Sequence, residues 1–440
     1  MGPGTGGIAR GLPAPAPLPD SAPAPSQPPP ADARLPVPGC YLLNYTPTVS
    51  YFTFDGTLRI AAATGRLLAS ADLYQRDLAE PAPPDPAVGI PIFPIKNYRF
   101  YLRVKNISPA DDGFSLAFEA YRFAAEEVSS FDGSFTRWPK DGEYSALLAP
   151  VPAAEGYPAP DRCYAGDVKD SAGTTIGRLS MGFVSPYLRK ATIEIDRVPE
   201  SRPPLDNGGG ITWRTVFDKV GWDITVLESD SDVEEPCGGV WNRAEAHAAM
   251  QCRRDRSDLD AEWHYHLLAV RWIDPPPEQP GAARGWMYDV DAGDLNRVPR
   301  EGLMIASHWR IPEEDLWGLV QGMLAAETVT YFRTAVHELG HALGLDHNAS
   351  DNNFMRPSDV IAANGLKTPA TPFPNNIQWS YSPDDEHRLR HWPDLIVRPG
   401  GHSLFSGAVA AISAFPSNSL RLDVAPVLTS VPLGPRSALT

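Results

Sequence analysis

Basic residues are in short supply in this 440-residue chain, where 38 Lys and Arg face 54 Asp and Glu for a formal net charge of −16. Nucleic-acid binding rests on neutralising phosphates with Lys and Arg, and docking on an anionic membrane rests on the same residues. The acid excess argues against both and suits a well-solvated surface. No run of 18 or more apolar residues occurs, so no segment reads as a membrane-spanning helix. The opening residues lack the basic stretch followed by an apolar one that marks a secretory signal. The expectation is a chain that stays inside the cell, leaves by a non-classical route, or stands here without its signal. Cysteine is scarce as well. Cys40, Cys163, Cys237 and Cys252 form no C-x-x-C pair, and four cysteines allow three disulfide connectivities, so the redox compartment stays open.

Proline, by contrast, is abundant, with 47 in the chain and 12 of them before residue 39. A segment so rich in Pro, Ala and Gly buries little apolar surface, and residues 1–38 read as an extended, disordered arm outside the fold. The remainder is 42% hydrophobic over the whole chain, enough for a sizeable core. Its texture divides it into a β-rich N-terminal domain at 39–186, a second domain at 187–397, and a tail at 398–440.

In the first of these, short alternating runs recur: Phe52 to Ile60, Tyr98 to Val104, Phe114 to Phe118. Asp55-Gly56 and Phe131-Asp132-Gly133 read as turns between strands. The expected architecture is an antiparallel β-sandwich. After Tyr187 the pattern changes. Ala191, Ile193 and Ile195 alternate with polar residues, Trp213, Val216, Phe217 and Val220 mark an amphipathic helix ended by Gly221, and Trp222, Ile224 and Val226 alternate again. Strand, helix, strand predicts a right-handed crossover between parallel strands. A helix at Arg243 to Met250, strands at Tyr265 to Ile273 and Leu303 to Trp309, and two helices between Leu316 and Leu345 follow. The fold class is α+β.

The chemistry concentrates in His337-Glu338-Leu339-Gly340-His341-Ala342-Leu343-Gly344-Leu345-Asp346-His347. On a helix, residues four apart lie on one face, so His337 and His341 can direct ring nitrogens at one ion. Glu338 then stands beside the metal and is no ligand. A third ligand six residues after His341 requires the helix to stop and the chain to turn back, and Gly344 permits that geometry. Three histidines leave a fourth position open, the pattern of a catalytic zinc. Chance assembly of the five fixed positions is on the order of 10⁻⁴ per chain at average usage. Three unrelated histidines on an ordinary helix are the bland alternative.

This segment resembles the motif of the metzincin zinc peptidases. Gly340 to His347 is similar to the matrixin branch, Asn353-Phe354-Met355-Arg356-Pro357 resembles the metzincin Met-turn, and Ser382-Pro383-Asp384-Asp385 resembles the opening of the matrixin C-terminal helix. Asn348 stands where matrixins have a small hydroxyl residue, and no Tyr lies two residues after Met355. The resemblance implies a mixed twisted sheet with an active-site helix, and Met355 packed beneath the metal. It also implies an extended peptide substrate lying beside an edge strand, for which Leu303 to Trp309 is the candidate. The pocket for the side chain after the cut would be apolar and lined by Val360, Ile361 and Phe373. The expected activity is that of a zinc-dependent endopeptidase in which Glu338 activates water. Two alternatives carry weight: a non-enzymatic binding or adhesion module built on the same scaffold, and an exported protease effector. Glu338 bears on the first, because a purely structural metal site has no use for it.

Other residues are weaker candidates. Arg162-Cys163-Tyr164-Ala165-Gly166-Asp167 keeps the Arg-Cys-x-x-x-Asp spacing of the matrixin cysteine switch, which would make Cys163 a thiolate cap; a structural cysteine is the default. Asp289, Asp291 and Asp294 form an acidic loop with oxygen ligands for calcium but no EF-hand spacing, and a solvated turn is the default there. His264 and His266 share one strand face, and His247 and His308 lie elsewhere; the matrixin resemblance raises a second, structural zinc, but its His-x-Asp pattern is missing and ordinary histidines are the default.

Overall fold

The structure, a computed structural model, describes residues 32–78, 84–123, 138–236, 238–255, 258–274, 283–289, 296, 298–311, 317–367 and 371–401. The β-rich region corrects the sandwich expectation, because its strands close into an eight-stranded barrel. They are Gly39–Pro47 (β1), Phe52–Ala63 (β2), Arg66–Asp77 (β3), Tyr98–Ala110 (β4), Gly113–Arg122 (β5), Lys140–Pro150 (β6), Cys163–Asp170 (β7) and Thr175–Ser185 (β8). Each pairs antiparallel with the next, and β1 returns to β8 from Cys40↔Ser185 to Pro47↔Gly177. Strand alternation is the same in a sandwich and a barrel; only that last pairing, far apart in sequence, separates them. Inward side chains such as Tyr41, Leu43, Phe54, Leu58, Phe100, Phe114 and Leu148 fill the interior. Leu35 and Val37, assigned to the arm, pack against this core, and Val37 O accepts a hydrogen bond from Tyr41.

Asp55-Gly56 is no turn. β2 runs straight through it, and the chain reverses at Thr64-Gly65 instead. Asp55 is buried and bound by Asn44 and Arg76, while a Cβ at Gly56 would collide with the Asp72 carbonyl on the neighbouring strand. The Phe131-Asp132-Gly133 turn lies outside the described residues.

Beyond the barrel, Arg189–Arg197 (β9), Trp213–Val220 (α1) and Trp222–Glu228 (β10) form the expected crossover, with β9 and β10 parallel. Thr212 caps α1 and Gly221 ends it in the left-handed region. Val240–Trp241 (β11), Arg243–Arg253 (α2), His264–Val270 (β12), Trp272–Ile273 (β13), Gly285–Trp286 (β14) and Gly302–Ala306 (β15) follow. The main sheet has the order β10-β9-β12-β15-β14, its first four strands parallel and β14 antiparallel at the edge. β15 is therefore interior, and the edge strand expected at Leu303 to Trp309 is β14. Only one long helix, Thr328–Ala342 (α3), occupies the described residues where two were expected; a 3-10 turn at Leu324–Ala326 precedes it. Ser358–Lys367 (α4), Pro383–His391 (α5) and the short Asp394–Val397 (α6) complete the fold. No described helix is long and apolar enough to cross a membrane.

The barrel meets the second region through buried polar groups. Arg59 of β2 binds Asp72 of β3 at 2.5 Å and Asp394 of α6 at 3.0 Å, and Arg189 of β9 reaches Asp394 at 3.2 Å. Tyr74 donates to Asp394, Tyr98 to Asp72, and Tyr101 to the His391 carbonyl. Arg398, counted with the tail, is buried and donates to the Phe93 and Leu259 carbonyls; residues 402–440 lie outside the described set. Removing one partner of such a network strands the others as uncompensated buried charges. Asp394→Ala should lower the unfolding free energy by about 3–5 kcal/mol, measured by denaturant unfolding; an unchanged midpoint would contradict the account.

Candidate metal centre

α3 is buried nearly all round, so its helical face pattern serves both the core and the site. It ends at Ala342 in a two-bond turn: Gly344 N–H donates to the His341 carbonyl at 2.9 Å, and Leu345 N–H donates to the Gly340 carbonyl at 2.9 Å. Gly344 holds φ at 83°, where a side chain would be strained. This turn sends the chain back so that His347 comes beside His337 and His341. The three ring centroids are 4.7, 5.2 and 5.0 Å apart. One ligand atom from each ring lies within 4.8 Å of the others. His337 is buried, His341 half-buried and His347 exposed, so the site opens on one side.

Two carbonyls fix the imidazole tautomers. His337 Nδ1 lies 2.7 Å from Phe354 O, and His341 Nδ1 lies 2.8 Å from Leu345 O. A carbonyl only accepts, so each Nδ1 carries the hydrogen and each Nε2 keeps a bare lone pair. Burial pushes the His337 imidazole well below its ordinary pKa, reinforced by His341, and pushes His341 down to about 4. Both rings are neutral. Their Nε2 atoms nonetheless face each other at 3.2 Å. A tetrahedral zinc with Zn–N of about 2.0–2.1 Å would set them roughly 3.3 Å apart. The donor set and its geometry fit that ion.

Glu338, one residue on from His337, is buried and turned toward β14. Its Oε2 accepts a hydrogen bond from Met287 N–H at 3.0 Å. A Cβ on Gly285 would lie 2.6 Å from Glu338 Cγ and 3.0 Å from Oε1, so only a glycine lets this strand come so close. Burial pushes the Glu338 carboxyl up to about 7, against the opposing pull of the Met287 amide and of Arg284 and Arg333. A dication beside it would draw the value down again, since an opposite charge favours the carboxylate.

Met355 is fully buried, and its Sδ occupies the space a Cβ on Gly340 would need. The loop carrying it is bound by Arg333, four residues before His337 and 1% exposed. The Arg333 guanidinium donates to the carbonyls of Asn353 and Phe354 at 3.0 Å, to that of Arg356, and to Ser358 Oγ. Asn348 Nδ2 donates to Ser382 Oγ and Asp385 Oδ2, tying the chain after His347 to the start of α5.

The remaining sequence candidates fall elsewhere. Cys163 sits in barrel strand β7 opposite Gly182 and does not belong to the three-histidine group; burial raises its thiol pKa, which disfavours a thiolate cap. Asp289 is buried and accepts from the Glu301 amide, while Asp291 and Asp294 lie outside the described residues. Ile361 and Phe373 are core residues and Val360 is half-buried. Gly340 stands within the histidine motif, whereas Gly285 and Met287 have no local signal in the sequence. Arg333 had one: a lone charge in an otherwise apolar stretch of helix.

A histidine pair on a buried helix, a third histidine beyond a glycine turn and a glutamate beside an antiparallel edge strand make up the candidate centre. Residues 241–368, which include α2, α3 and α4, match the family model of the matrixins, and the chain carries a matrixin-like metzincin peptidase domain. No curated protein matches the chain.

Arg333→Met should take one donor from each of three loop carbonyls, leaving Phe354 O with His337 and Asn353 O with the Arg356 amide. The expected loss is about 3 kcal/mol in unfolding free energy, with faster amide exchange over residues 353–356. Unchanged exchange there would count against the bracing role.

Proposed function

We propose that this protein is a zinc-dependent endopeptidase in which His337, His341 and His347 hold the ion and Glu338 is the general base. The observation that carries this reading is the pair of bare Nε2 lone pairs facing each other with a buried carboxylate alongside. When bound, zinc supplies polarisation of the scissile carbonyl and a water pKa near ~7. The chain's own residues do the rest. Phe354 O and Leu345 O hold two imidazoles in the tautomer that ligates. Glu338 takes the proton of the attacking water and later passes it to the leaving amine. The Met287 amide, bonded to Oε2, fixes the carboxylate while Oε1 stays beside Gly285. Met355 acts as a packing platform for the histidine-bearing helix and has no part in proton transfer.

The substrate in this reading is an extended peptide that adds to the outer edge of β14 by main-chain hydrogen bonds. β14 ends the sheet, whereas β15, flanked on both sides, offers no free edge. The apolar pocket after the cut remains part of the proposal.

Glu338→Gln should retain the ion held by the histidines and lose roughly 10²–10⁴-fold in peptide cleavage. Its thermal stability should stay near that of the unaltered chain. The check is cleavage of a peptide library with product termini sequenced, alongside metal analysis of both proteins. Cleavage by Glu338→Gln within about tenfold of the unaltered chain would overturn the mechanism. Equal inertness of both would favour the binding-module alternative.

A further inference from the structure

Away from the three histidines, a second group of ligating side chains lies on the sheet face opposite Ile193 and Ile195. In β9, Glu194 and Asp196 are two residues apart and share that face. His264 and His266 of β12 lie across from it, with His264 opposite Thr192 and His266 opposite Glu194. All four are buried, Glu194 and Asp196 completely. One ligand atom each from Glu194, Asp196 and His266 lies within 4.8 Å of the other two. His264 Nε2 is 2.6 Å from Glu194 Oε2, and His266 Nε2 is 3.0 Å from Asp196 Oδ2. The carboxylates also draw in two loops. Glu194 accepts from the Asp255 amide after α2, and Asp196 from the Asp230 amide after β10.

The difficulty is charge. The nearby buried Glu301 has the Arg254 guanidinium and the Asn296 amide. Neither Glu194 nor Asp196 has a Lys or Arg partner among the described residues. With neutral imidazoles, two fully buried carboxylates lack any counter-charge, which is costly in a low-dielectric interior. With both imidazoles protonated the charge balances, but each ring then carries an Nδ1–H. The Nδ1 atoms of His264 and His266 are both buried without a hydrogen-bond partner, the Glu262 carboxylate standing 3.9 Å from His264 Nδ1, so that solution strands two donors. A dication supplies both charges with the rings neutral: His264 keeps its hydrogen on Nε2 toward Glu194, and a single donor, His266 Nδ1–H, is left without a partner in place of two.

We propose that Glu194, Asp196 and His266 form a second metal site, independent of the three-histidine centre. Two carboxylate oxygens and an imidazole suit the borderline ion Zn²⁺, since Ca²⁺ and Mg²⁺ prefer oxygen alone. Being buried and closed in, the site is structural. It ties β9 to β12 and, through the Asp230 and Asp255 amides, secures the loops after β10 and α2.

The test is metal content of the full chain, by mass spectrometry after equilibration with Zn²⁺ and desalting, with thermal midpoints in parallel. His341→Ala/His347→Ala disables the first centre and leaves the second intact. The proposal expects about two ions in the unaltered chain and about one in the double variant. The variant's thermal midpoint should rise by several degrees when Zn²⁺ is added. Adding His266→Ala should remove the last ion and that rise. One ion in both the unaltered chain and the double variant would support the second site while counting against the three-histidine centre. One ion in the unaltered chain and none in the double variant, with no response to Zn²⁺, overturns the second site and leaves the first. Because that outcome is read without altering Glu194, Asp196 or His266, a misfolded His266→Ala chain cannot obscure it.

Discussion

Everything near the histidines depends on where α3 stops. Two imidazoles four residues apart can share an ion on a straight helix, but a third from the same chain cannot reach it unless the backbone reverses within a few residues. The Gly344 turn performs that reversal and does more. The Leu345 carbonyl it carries returns to His341 Nδ1 and fixes that ring's tautomer. The chain leaving the turn pairs with the Met355 loop, where Asn348 N–H donates to the Met355 carbonyl. That loop in turn offers the Phe354 carbonyl to His337. A side chain at position 344 would have to leave the left-handed region. The loss would reach the third histidine, one tautomer and the packing of the loop together.

Much of this was legible because it is local. Helix spacing, a helix-ending glycine and a downstream methionine loop lie within 20 residues, and each has a residue-level signal. Strand alternation, the α1 crossover and the Gly221 stop are legible on the same ground. What was illegible depends on pairing over long separations. Cys40 against Ser185 closes a barrel that alternation alone cannot distinguish from a sandwich. Likewise, β14 is two residues long and reads as loop, yet it forms the edge beside Glu338. Asp55-Gly56 misled for an instructive reason. The pair has turn chemistry, but Arg76 and Asn44 claim the carboxylate, and the glycine is needed for close strand approach.

Polar residues on strands showed the same gap between pattern and outcome. Arg59, Ser70 and Asp72 alternate with apolar neighbours and look like the wet face of a sheet. In the folded chain they are the dry face, covered by α5 and α6. Glu194 and Asp196 behave alike on β9. Both sets are polar because they meet other polar groups in the interior, and some of those partners lie 70 to more than 300 residues away in sequence.

The seam made by Arg59, Asp72, Arg189 and Asp394 bears on how this protein can be matured. A leading segment that is cut away must part from its neighbour along a surface that tolerates water afterwards. Here the parting line would run through an aspartate shared by two arginines, one on each side. It would also bare the His391 carbonyl, which Tyr101 of the barrel now engages. Excision of the barrel would leave a peptidase half with a charged wound next to α5, the helix that also anchors Asn348. Barrel and second region are thus joined along a buried polar seam that cannot be opened without leaving charges uncompensated on both faces.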